Sequence, residues 1–286
     1  MIKLFPIIFI LLWSSAFITT KPIIDYSDPF AALSFRFFIV ALGFFIFSLF
    51  TNNTLKSSNK NILQSVLSGI LFHGFYLGGV FYSISIGMPT GITALIVTLQ
   101  PVLTNILAGP LLNEKIFKSQ WIGMVLGFIG ASLVLGLDIG NTLPINGIIA
   151  AVISLLAITF STLWQKKTSN NLPLSSSNMY QAIGGCLFHL LIIIFITSPK
   201  IIFSTTFIFA MTHQIILVSF GAFTILMYLI KNNSASKTVS VFFLIPPTSA
   251  IIAWIFLGEQ LSVVDISGFI IASIGVYIAT RREKSV

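Results

Sequence analysis

One arginine lies inside an apolar run of this sequence. Arg36 follows Pro29 by seven positions and is followed by FFIVALGFFIF. Its guanidinium presents N–H donors in a rigid fork that matches a carboxylate or phosphate. Seven helical residues span about 10 Å, and at such a depth in a membrane an unpartnered guanidinium costs on the order of 3 kcal/mol. We expect Arg36 to bind an anionic group of a solute, or else to bond helix-end carbonyls, Asp25 or Asp28.

Two later runs each carry a proline near the middle, Pro101 and Pro246. A proline inside a helix removes a backbone hydrogen bond and kinks the helix. Interrupted helices at matching positions in two halves of a chain indicate a binding site near the bilayer midplane. The polar residues beside these prolines are Thr98, Gln100, Thr104 and Asn105 in the first run and Thr248 and Ser249 in the second. These side chains are expected to line a cavity, or to bond across helices as structural contacts.

Aromatic and titratable side chains add three candidates. Trp13 and Tyr76 lie deep in their runs and could line a cavity or stack on a solute. All seven Asp and Glu residues fall in loops or at the ends of runs, whereas proton-coupled carriers keep a carboxylate or a histidine relay inside the membrane. His73 is therefore the candidate for proton coupling, although a single histidine there also suits a neutral hydrogen-bonding role. We expect facilitated or exchange transport.

Motifs of membrane-embedded enzymes are missing from the sequence. It contains no HExxH for zinc, no pair of aspartates inside a run for proteolysis, and no aspartate-rich box for magnesium and diphosphate. The single cysteine, Cys186, offers no disulfide or zinc framework and suits a buried apolar position. The sequence predicts no enzyme, no metal site and no cofactor.

The composition identifies the solvent of the chain as lipid. Hydrophobic residues make up 56% and charged residues 8%, against roughly a quarter charged in soluble domains. Each apolar run is close to the ~20 residues that a helix needs to cross the hydrocarbon, and the runs do not alternate as β-barrel strands do. The runs cover about 4–24, 30–50, 62–87, 90–112, 119–137, 145–165, 178–198, 207–230, 238–257 and 266–280. We expect an all-α membrane protein with ten transmembrane helices.

The net charge of +8 is distributed as a membrane topology requires. Cytoplasmic loops carry an excess of Lys and Arg. With the N-terminus placed in the cytoplasm, only Lys21 and Lys200 fall outside, and Arg36 lies within a run. The cytoplasmic side then receives Lys3, Lys56, Lys60, Lys115, Lys118, Lys166, Lys167, Lys231, Lys237, Arg281, Arg282 and Lys284. This bias predicts cytoplasmic N- and C-termini and gives no reason to expect a nucleic-acid partner.

The chain repeats itself 145 positions apart. LQPVLTNILAGPLLNEKIFKSQWIG at 99–123 corresponds without a gap to LIPPTSAIIAWIFLGEQLSVVDISG at 244–268, which aligns Pro101 with Pro246, Glu114 with Glu259 and Gly123 with Gly268. Five runs separate the copies, so the copies would enter the membrane in opposite directions. Inverted repeats are typical of transporters. We expect two inverted-topology five-helix repeats, residues 1–140 and 141–286, in one integral membrane domain.

The loop and helix after each repeated proline carry further predictions. Glu114 and Glu259 are expected to cap the helix that starts just after each, or to form a gate that alternates between the two faces. Gly123 and Gly127 are spaced as GxxxG, which lets helix backbones pack closely. That contact would form within the chain or in a homodimer.

The sequence resembles the EamA-type members of the drug/metabolite transporter superfamily from about residue 4 to 282. The resemblance rests on WSSAF in the first run, FRF in the second, and the twin patterns NEKIFKSQWIGMVLGFIGASLVL and GEQLSVVDISGFIIASIGVYI. Asn113 stands where the family usually has the glycine that the second copy keeps as Gly258. Asn tolerates a left-handed backbone nearly as well, so this departure changes little.

The resemblance implies an alternating-access exporter of small metabolites, such as amino acids, in the cytoplasmic (inner) membrane. The anionic role expected for Arg36 favours amino acids or related carboxylate solutes. The partners would then be a small-molecule solute and the lipid bilayer. Multidrug or lipid-type cargo and a channel keep the same fold and remain alternatives, and a membrane-embedded enzyme is the weakest one.

Overall fold

The computed structural model describes residues 4–135, 143–169, 171–195, 199–257 and 262–281. The regular elements in these ranges are helices, and one isolated antiparallel bridge joins Ser27 to Ile201. The helices are α1 (Phe5–Tyr26), α2 (Pro29–Phe50), α3 (Asn59–Ser85), α4 (Thr90–Leu112), α5 (Lys118–Leu135), α6 (Ile145–Thr168), α7 (Leu174–Ile193), α8 (Thr205–Asn232), α9 (Ala235–Leu257) and α10 (Val263–Thr280).

Eight of these segments are long and apolar enough to cross a membrane. They are α1 to α4, α6, α8, the first part of α9 (Ala235–Ile252) and α10. The prediction of an all-α membrane protein is confirmed. The described residues give eight spans by length and composition, so the predicted number of ten is not confirmed. The helices α5 and α7 lie outside that set.

The outer surface of the bundle is apolar. Large hydrophobic side chains such as Phe38, Phe47, Phe209 and Ile270 are more than half exposed. Exposed apolar area on this scale marks a membrane or protein contact rather than a water-facing surface. The interior holds two main apolar clusters, one around Phe72, Phe223 and Phe243 and the other around Phe37 and Phe207.

The helices pack in related pairs. The extensive contacts are α2 with α7 and α5 with α10, and α1 packs on α8 and α9 much as α6 packs on α3 and α4. The glycines of α5 and α10 lie in the contact between these two helices, where a Cβ on Gly123 would lie 2.5 Å from the Gly275 carbonyl oxygen. The close contact expected from the GxxxG spacing therefore forms within the chain.

Four helices depart from regular α geometry. A π-helical segment occupies Ile70–Leu77 of α3, and another occupies Gln214–Ala222 of α8. These segments begin at residues 70 and 214, 144 positions apart. The α-helix of α4 is interrupted between Val97 and Gln100, next to Pro101, and α9 contains a 3₁₀ turn at Val241–Leu244 just before Pro246. Both proline-containing runs are thus interrupted helices, because proline has no N–H to donate to the preceding turn.

The contact between α5 and α10 predicts a stability effect for Gly130→Ala. A Cβ there would overlap the Ala272 backbone nitrogen and lie 2.5 Å from the Gly268 carbonyl oxygen. Forcing backbones apart in a packed contact costs about 1–3 kcal/mol. We expect a lower thermal unfolding temperature in detergent.

Gly221→Ala is the matched control for this prediction. A Cβ at Gly221 meets only the flexible tip of Leu12, at 3.0 Å, and the Ile216 carbonyl oxygen at 3.6 Å. The control is expected to change the unfolding temperature much less. Equal unfolding temperatures for the two variants would show that the α5–α10 contact does not depend on its glycines.

Candidate solute-binding site

A cavity opens among α1, α2, α3 and α8. Its empty volume is about 510 Å³, counting its open side. The lining residues are Trp13, Ala16, Thr20, Arg36, Phe72, His73, Tyr76, Leu77, Val80, Phe81, Gln214, Val218, Ser219 and Phe223. Four of these, namely Trp13, Arg36, His73 and Tyr76, are candidates predicted from the sequence, and the fold brings the four together. We call this space the arginine cavity.

Arg36 is almost fully buried, with 3% of its surface exposed. Its Nε donates a hydrogen bond to the Ser219 Oγ at 2.9 Å, and its Cζ lies 5.3 Å from the centre of the Phe37 ring. The carboxylates expected as alternative partners are engaged elsewhere. Asp28 accepts from the first backbone N–H groups of α2, and Asp25 lies 3.5 Å from the Lys21 Nζ.

The guanidinium therefore lacks a carboxylate partner among the residues that the structure describes. Within the same residues its two terminal nitrogens make no hydrogen bond with protein groups. A buried charge without a partner is strongly unfavourable. Because Ser219 holds Nε, the fork formed by the terminal nitrogens remains free for an anion in the arginine cavity.

A second cavity adjoins the first and shares Trp13, Tyr76 and Val80 with it. Its empty volume is about 480 Å³, and its other lining residues include Thr90, Thr93, Thr98, Phe242, Ile245 and Pro246. Thr90 and Thr93 come from the first turn of α4, whereas Thr98, Phe242, Ile245 and Pro246 lie at or beside the interruptions of α4 and α9. The arginine cavity and the second cavity thus meet at two aromatic side chains, Trp13 and Tyr76.

Thr98 lines the second cavity, but the amide side chains of Gln100 and Asn105 line neither cavity. Gln100 Nε2 donates to the Thr162 Oγ1 of α6 at 3.1 Å, and the Asn105 amide contacts the Met124 sulfur of α5. The side-chain oxygens of both amides are buried without a partner in the described structure. Gln100 and Asn105 thus make contacts between helices, and a solute could meet them only after α4 moves.

The polar residues of α9 also face neighbouring helices. Thr248 is buried, and Ser249 Oγ donates to the Ser14 carbonyl oxygen of α1 at 3.0 Å. This bond joins α9 to the helix that carries Trp13. A solute in either cavity would reach Ser249 only if α1 and α9 separated.

The three histidines of the sequence have different surroundings. His73 packs on Phe37, with ring centres 4.3 Å apart, and its Nδ1 is buried without a hydrogen-bond partner in the described structure. His189 Nε2 donates to the His73 carbonyl oxygen at 2.9 Å. His213 lies between the hydroxyls of Ser15 and Thr19. His73 is the one of the three that lines the arginine cavity.

Four lining residues of the arginine cavity come from α8, and two of them, Gln214 and Ser219, are polar residues that were not candidates from the sequence. Gln214 Nε2 donates to the Ala16 carbonyl oxygen and to the Thr19 Oγ1, each at 2.9 Å, and so joins α8 to α1. Ser219 orients Arg36, as described above. Both lie in the π-helical segment of α8. They are polar residues inside an apolar run, which is the sequence signal that could have pointed to them.

Glu114 binds the start of α9. Its carboxylate accepts from the Ala235 N at 2.8 Å, from the Ser236 N at 3.3 Å and from the Ser236 Oγ at 3.1 Å. A carboxylate is favoured at the positive end of a helix. The expectation that Glu114 caps the next helix, α5, is therefore wrong, because its carboxylate binds a helix 121 residues further along the chain. Glu259 and Gly258 lie outside the described residues.

Asn113 adopts the left-handed backbone conformation that its position before Glu114 suggested. Its φ is 55°, and its N–H bonds the Gly109 carbonyl oxygen at the end of α4. This conformation turns the chain sharply after α4. The turn is what directs Glu114 toward α9.

A family model described as "EamA-like transporter family" matches residues 2–136 and 145–281. A solved crystal structure superposes with a TM-score of 0.82 at 17% sequence identity, over 98% of this chain and 96% of that chain. At that identity the match shows a shared fold.

Curated relatives cover nearly the whole chain. "Uncharacterized transporter YvbV" of Bacillus subtilis is 25% identical over 96% of this chain and 90% of its own length. "Uncharacterized transporter YyaM" of the same organism is 27% identical over 93% and 89%. A transporter encoded in the trpA 3′ region of Buchnera aphidicola is 28% identical over 82% and 78%. The names of these relatives state transport without a substrate.

The contact of Glu114 with α9 predicts a stability effect. Hydrogen bonds to a charged group contribute about 1.5–3 kcal/mol each, and loss of a helix cap typically costs about 1 kcal/mol. Because Glu114 is only half-buried, we expect Glu114→Ala to lower the free energy of unfolding by about 1–3 kcal/mol. The stability of Glu114→Gln should lie between those of the wild-type protein and Glu114→Ala. Thermal unfolding in detergent measures this effect.

Asp25→Ala is the control, since it removes a carboxylate from an exposed pair with Lys21, which is worth at most about 1 kcal/mol. If Glu114→Ala unfolded at the same temperature as Asp25→Ala, the carboxylate of Glu114 would not stabilise the start of α9.

Proposed function

The chain belongs to the EamA-like transporter family, and from that membership we propose that it carries small organic anions, with amino acids and related carboxylates as the leading class. The observation that supports this cargo is the buried guanidinium of Arg36, a residue that lines the arginine cavity and has no carboxylate partner in the described structure. A carboxylate of the solute would complete the hydrogen bonds and neutralise the charge. A fork-to-fork contact of this kind also fixes the orientation of the bound group.

The proposed mechanism is alternating access between two inverted five-helix repeats, residues 1–140 and 141–286. It requires α5 and α7 to cross the membrane as well, which gives ten spans. Three observations support it: the π-helical segments lie 144 positions apart, α4 and α9 are both interrupted at a proline, and the helix pairs correspond between the halves. Mirrored halves of similar energy would expose one site to either face in turn.

The direction and side of transport complete the proposal. The distribution of Lys and Arg supports cytoplasmic N- and C-termini in the cytoplasmic membrane, and export is the direction that the family resemblance suggests. Among the described residues, the linings of both cavities contain no Asp or Glu, which favours uniport or exchange over proton coupling. His73 is the residue through which a proton could be coupled if transport responds to a pH gradient.

Glu114 and Glu259 are proposed as gate residues on opposite faces. Glu114 joins the end of α4 to the start of α9, and hence the first repeat to the second. Such a contact would hold one face closed while the other is open. The repeat assigns the same task to Glu259 on the opposite face.

A second cargo, hydrophobic drugs or lipid-type molecules, is favoured by the walls of the arginine cavity. Apart from Arg36 and a few polar groups, these walls are aromatic and aliphatic. An anionic molecule with an apolar body would satisfy both features. Any homodimer would form through a surface other than the α5–α10 glycines, because those glycines already pack within the chain.

Counterflow in proteoliposomes tests the proposed cargo. Vesicles loaded with one unlabelled carboxylate at a time should take up the labelled form with saturable kinetics. Because Arg36→Ala removes a bidentate partner, we expect counterflow at subsaturating solute to fall roughly tenfold or more. Arg36→Lys keeps the charge without the fork and should retain part of the activity.

Lys21→Ala removes a positive charge from the exposed pair with Asp25 and is the matched control, for which wild-type counterflow is expected. Wild-type counterflow from a folded Arg36→Ala protein would remove the arginine from the binding site. Absence of counterflow for every carboxylate, with counterflow of neutral apolar compounds instead, would move the cargo to the second class.

A further inference from the structure

A separate polar pocket lies among α3, α6, α7 and α8, beyond the arginine cavity along α3. Its empty volume is about 340 Å³. Hydroxyl and amide side chains dominate its lining: Ser65, Ser68, Gln165, Ser169, Ser177 and Gln181. We call it the amide pocket. None of the described residues that line it carries a charge, so they offer hydrogen bonds to a solute without an ionic attraction.

Two glutamines organise the amide pocket. Gln165 Nε2 donates to the Gln181 Oε1 at 3.1 Å and to the Ser161 Oγ at 2.9 Å, and Gln181 Nε2 donates to the Ser177 Oγ at 3.3 Å. Both glutamines are at least 95% buried, and the Gln165 Oε1 has no partner among the described residues. An unpaired buried acceptor beside open space is suited to a solute donor or to water.

The arginine cavity and the amide pocket are stacked along two helices. On α3, Ser68 lines the pocket and Phe72, one turn later, lines the cavity. On α8, which runs the other way, Phe223 lines the cavity and Met227, one turn later, lines the pocket. The two spaces are therefore one helical turn apart, about 5 Å.

Two phenylalanines line the arginine cavity at the positions nearest to the amide pocket along both helices. The ring centres of Phe72 and Phe223 are 5.1 Å apart, and the two side chains are 1% and 3% exposed. Both belong to the same apolar cluster. An aromatic pair between two polar compartments excludes water and ions, because it provides no group to replace their hydration.

We propose that the amide pocket is a second solute site on the transport path and that Phe72 and Phe223 form the barrier between it and the arginine cavity. The proposal rests on the transport function proposed above. The pocket receives the hydrogen-bonding groups of the solute, and Arg36 holds its anionic group on the other side of the barrier. Separation of the two rings joins the two spaces, so the barrier is a gate made of side chains from both repeats.

Sided labelling of cysteines tests this arrangement without requiring knowledge of the solute. In a Cys186→Ser background, Ala16→Cys reports on the arginine cavity and Ser177→Cys on the amide pocket. A charged, membrane-impermeant methanethiosulfonate is applied to intact cells and to inverted membrane vesicles. We expect Ser177→Cys to react at least tenfold faster from one face, and Ala16→Cys at least tenfold faster from the opposite face.

The second part of the labelling experiment removes the barrier. Phe72→Ala with Phe223→Ala should let the reagent reach Ser177→Cys from the opposite face, at least tenfold faster than when the barrier is intact. Phe72→Leu and Phe223→Leu, which keep most of the volume, should give an intermediate rate if the alanine variants do not fold. The matched control is Phe75→Ala with Phe188→Ala, another ring pair, with centres 4.6 Å apart, that lines neither space.

Each outcome has one meaning. Reaction of both cysteines from the same face, no reaction of Ser177→Cys from either face, or equal rates for the barrier and control variants would overturn the proposal. Counterflow measurements distinguish a failure of this proposal from a failure of the proposed carboxylate cargo. If the two cysteines are labelled from opposite faces but no carboxylate shows counterflow, the two-compartment path is supported and the carboxylate cargo is rejected. If a carboxylate shows counterflow but the cysteines are not labelled from opposite faces, the cargo is supported and the two-compartment path is rejected.

Discussion

Lipid hydrocarbon offers no hydrogen bonds, so every backbone N–H and C=O within a membrane must find its partner inside the protein. This constraint explains why the described residues form helices, and it also makes irregular helices informative. Interrupted or widened turns persist at membrane depth only where they are buried in protein or face a cavity. In this chain they occur in α3, α4, α8 and α9, and the two adjoining cavities are lined by these same helices together with α1 and α2. The fold departs from regularity where a solute would bind.

The charge of Arg36 is the second determinant of the site. A guanidinium inside an apolar bundle is tolerated only with compensation. The described residues supply one hydrogen-bond acceptor, the Ser219 Oγ, and the face of the Phe37 ring. The nearby carboxylates, Asp25 and Asp28, serve at the surface and at a helix start. The remaining compensation would come from water or an anionic solute. A bound carboxylate would therefore be stabilised by a positive charge that the fold leaves incompletely compensated.

Much of this arrangement could be predicted from the sequence, and the limits have a physical reason. The run at 145–165 corresponds to α6, Ile145–Thr168, because a lipid-facing helix must be apolar over its whole length. The depth of Trp13, Arg36 and Tyr76 along their helices was readable from residue counts. The face on which a side chain lies was not, because it depends on which helices pack together. Gln100 therefore bonds α6, and the amide pocket, built from four helices, had no local pattern to reveal it.

Equilibrium binding of matched ligands to the purified protein tests the central claim, that an incompletely paired Arg36 attracts a carboxylate, most directly. Each labelled carboxylate is compared with its primary amide, which has nearly the same shape without the negative charge. The account predicts saturable binding of at least one acid and at least tenfold weaker binding of its amide, since the charge is what Arg36 recognises. Equal affinity for acid and amide would show that the cavity selects its ligand without the arginine and would contradict the account.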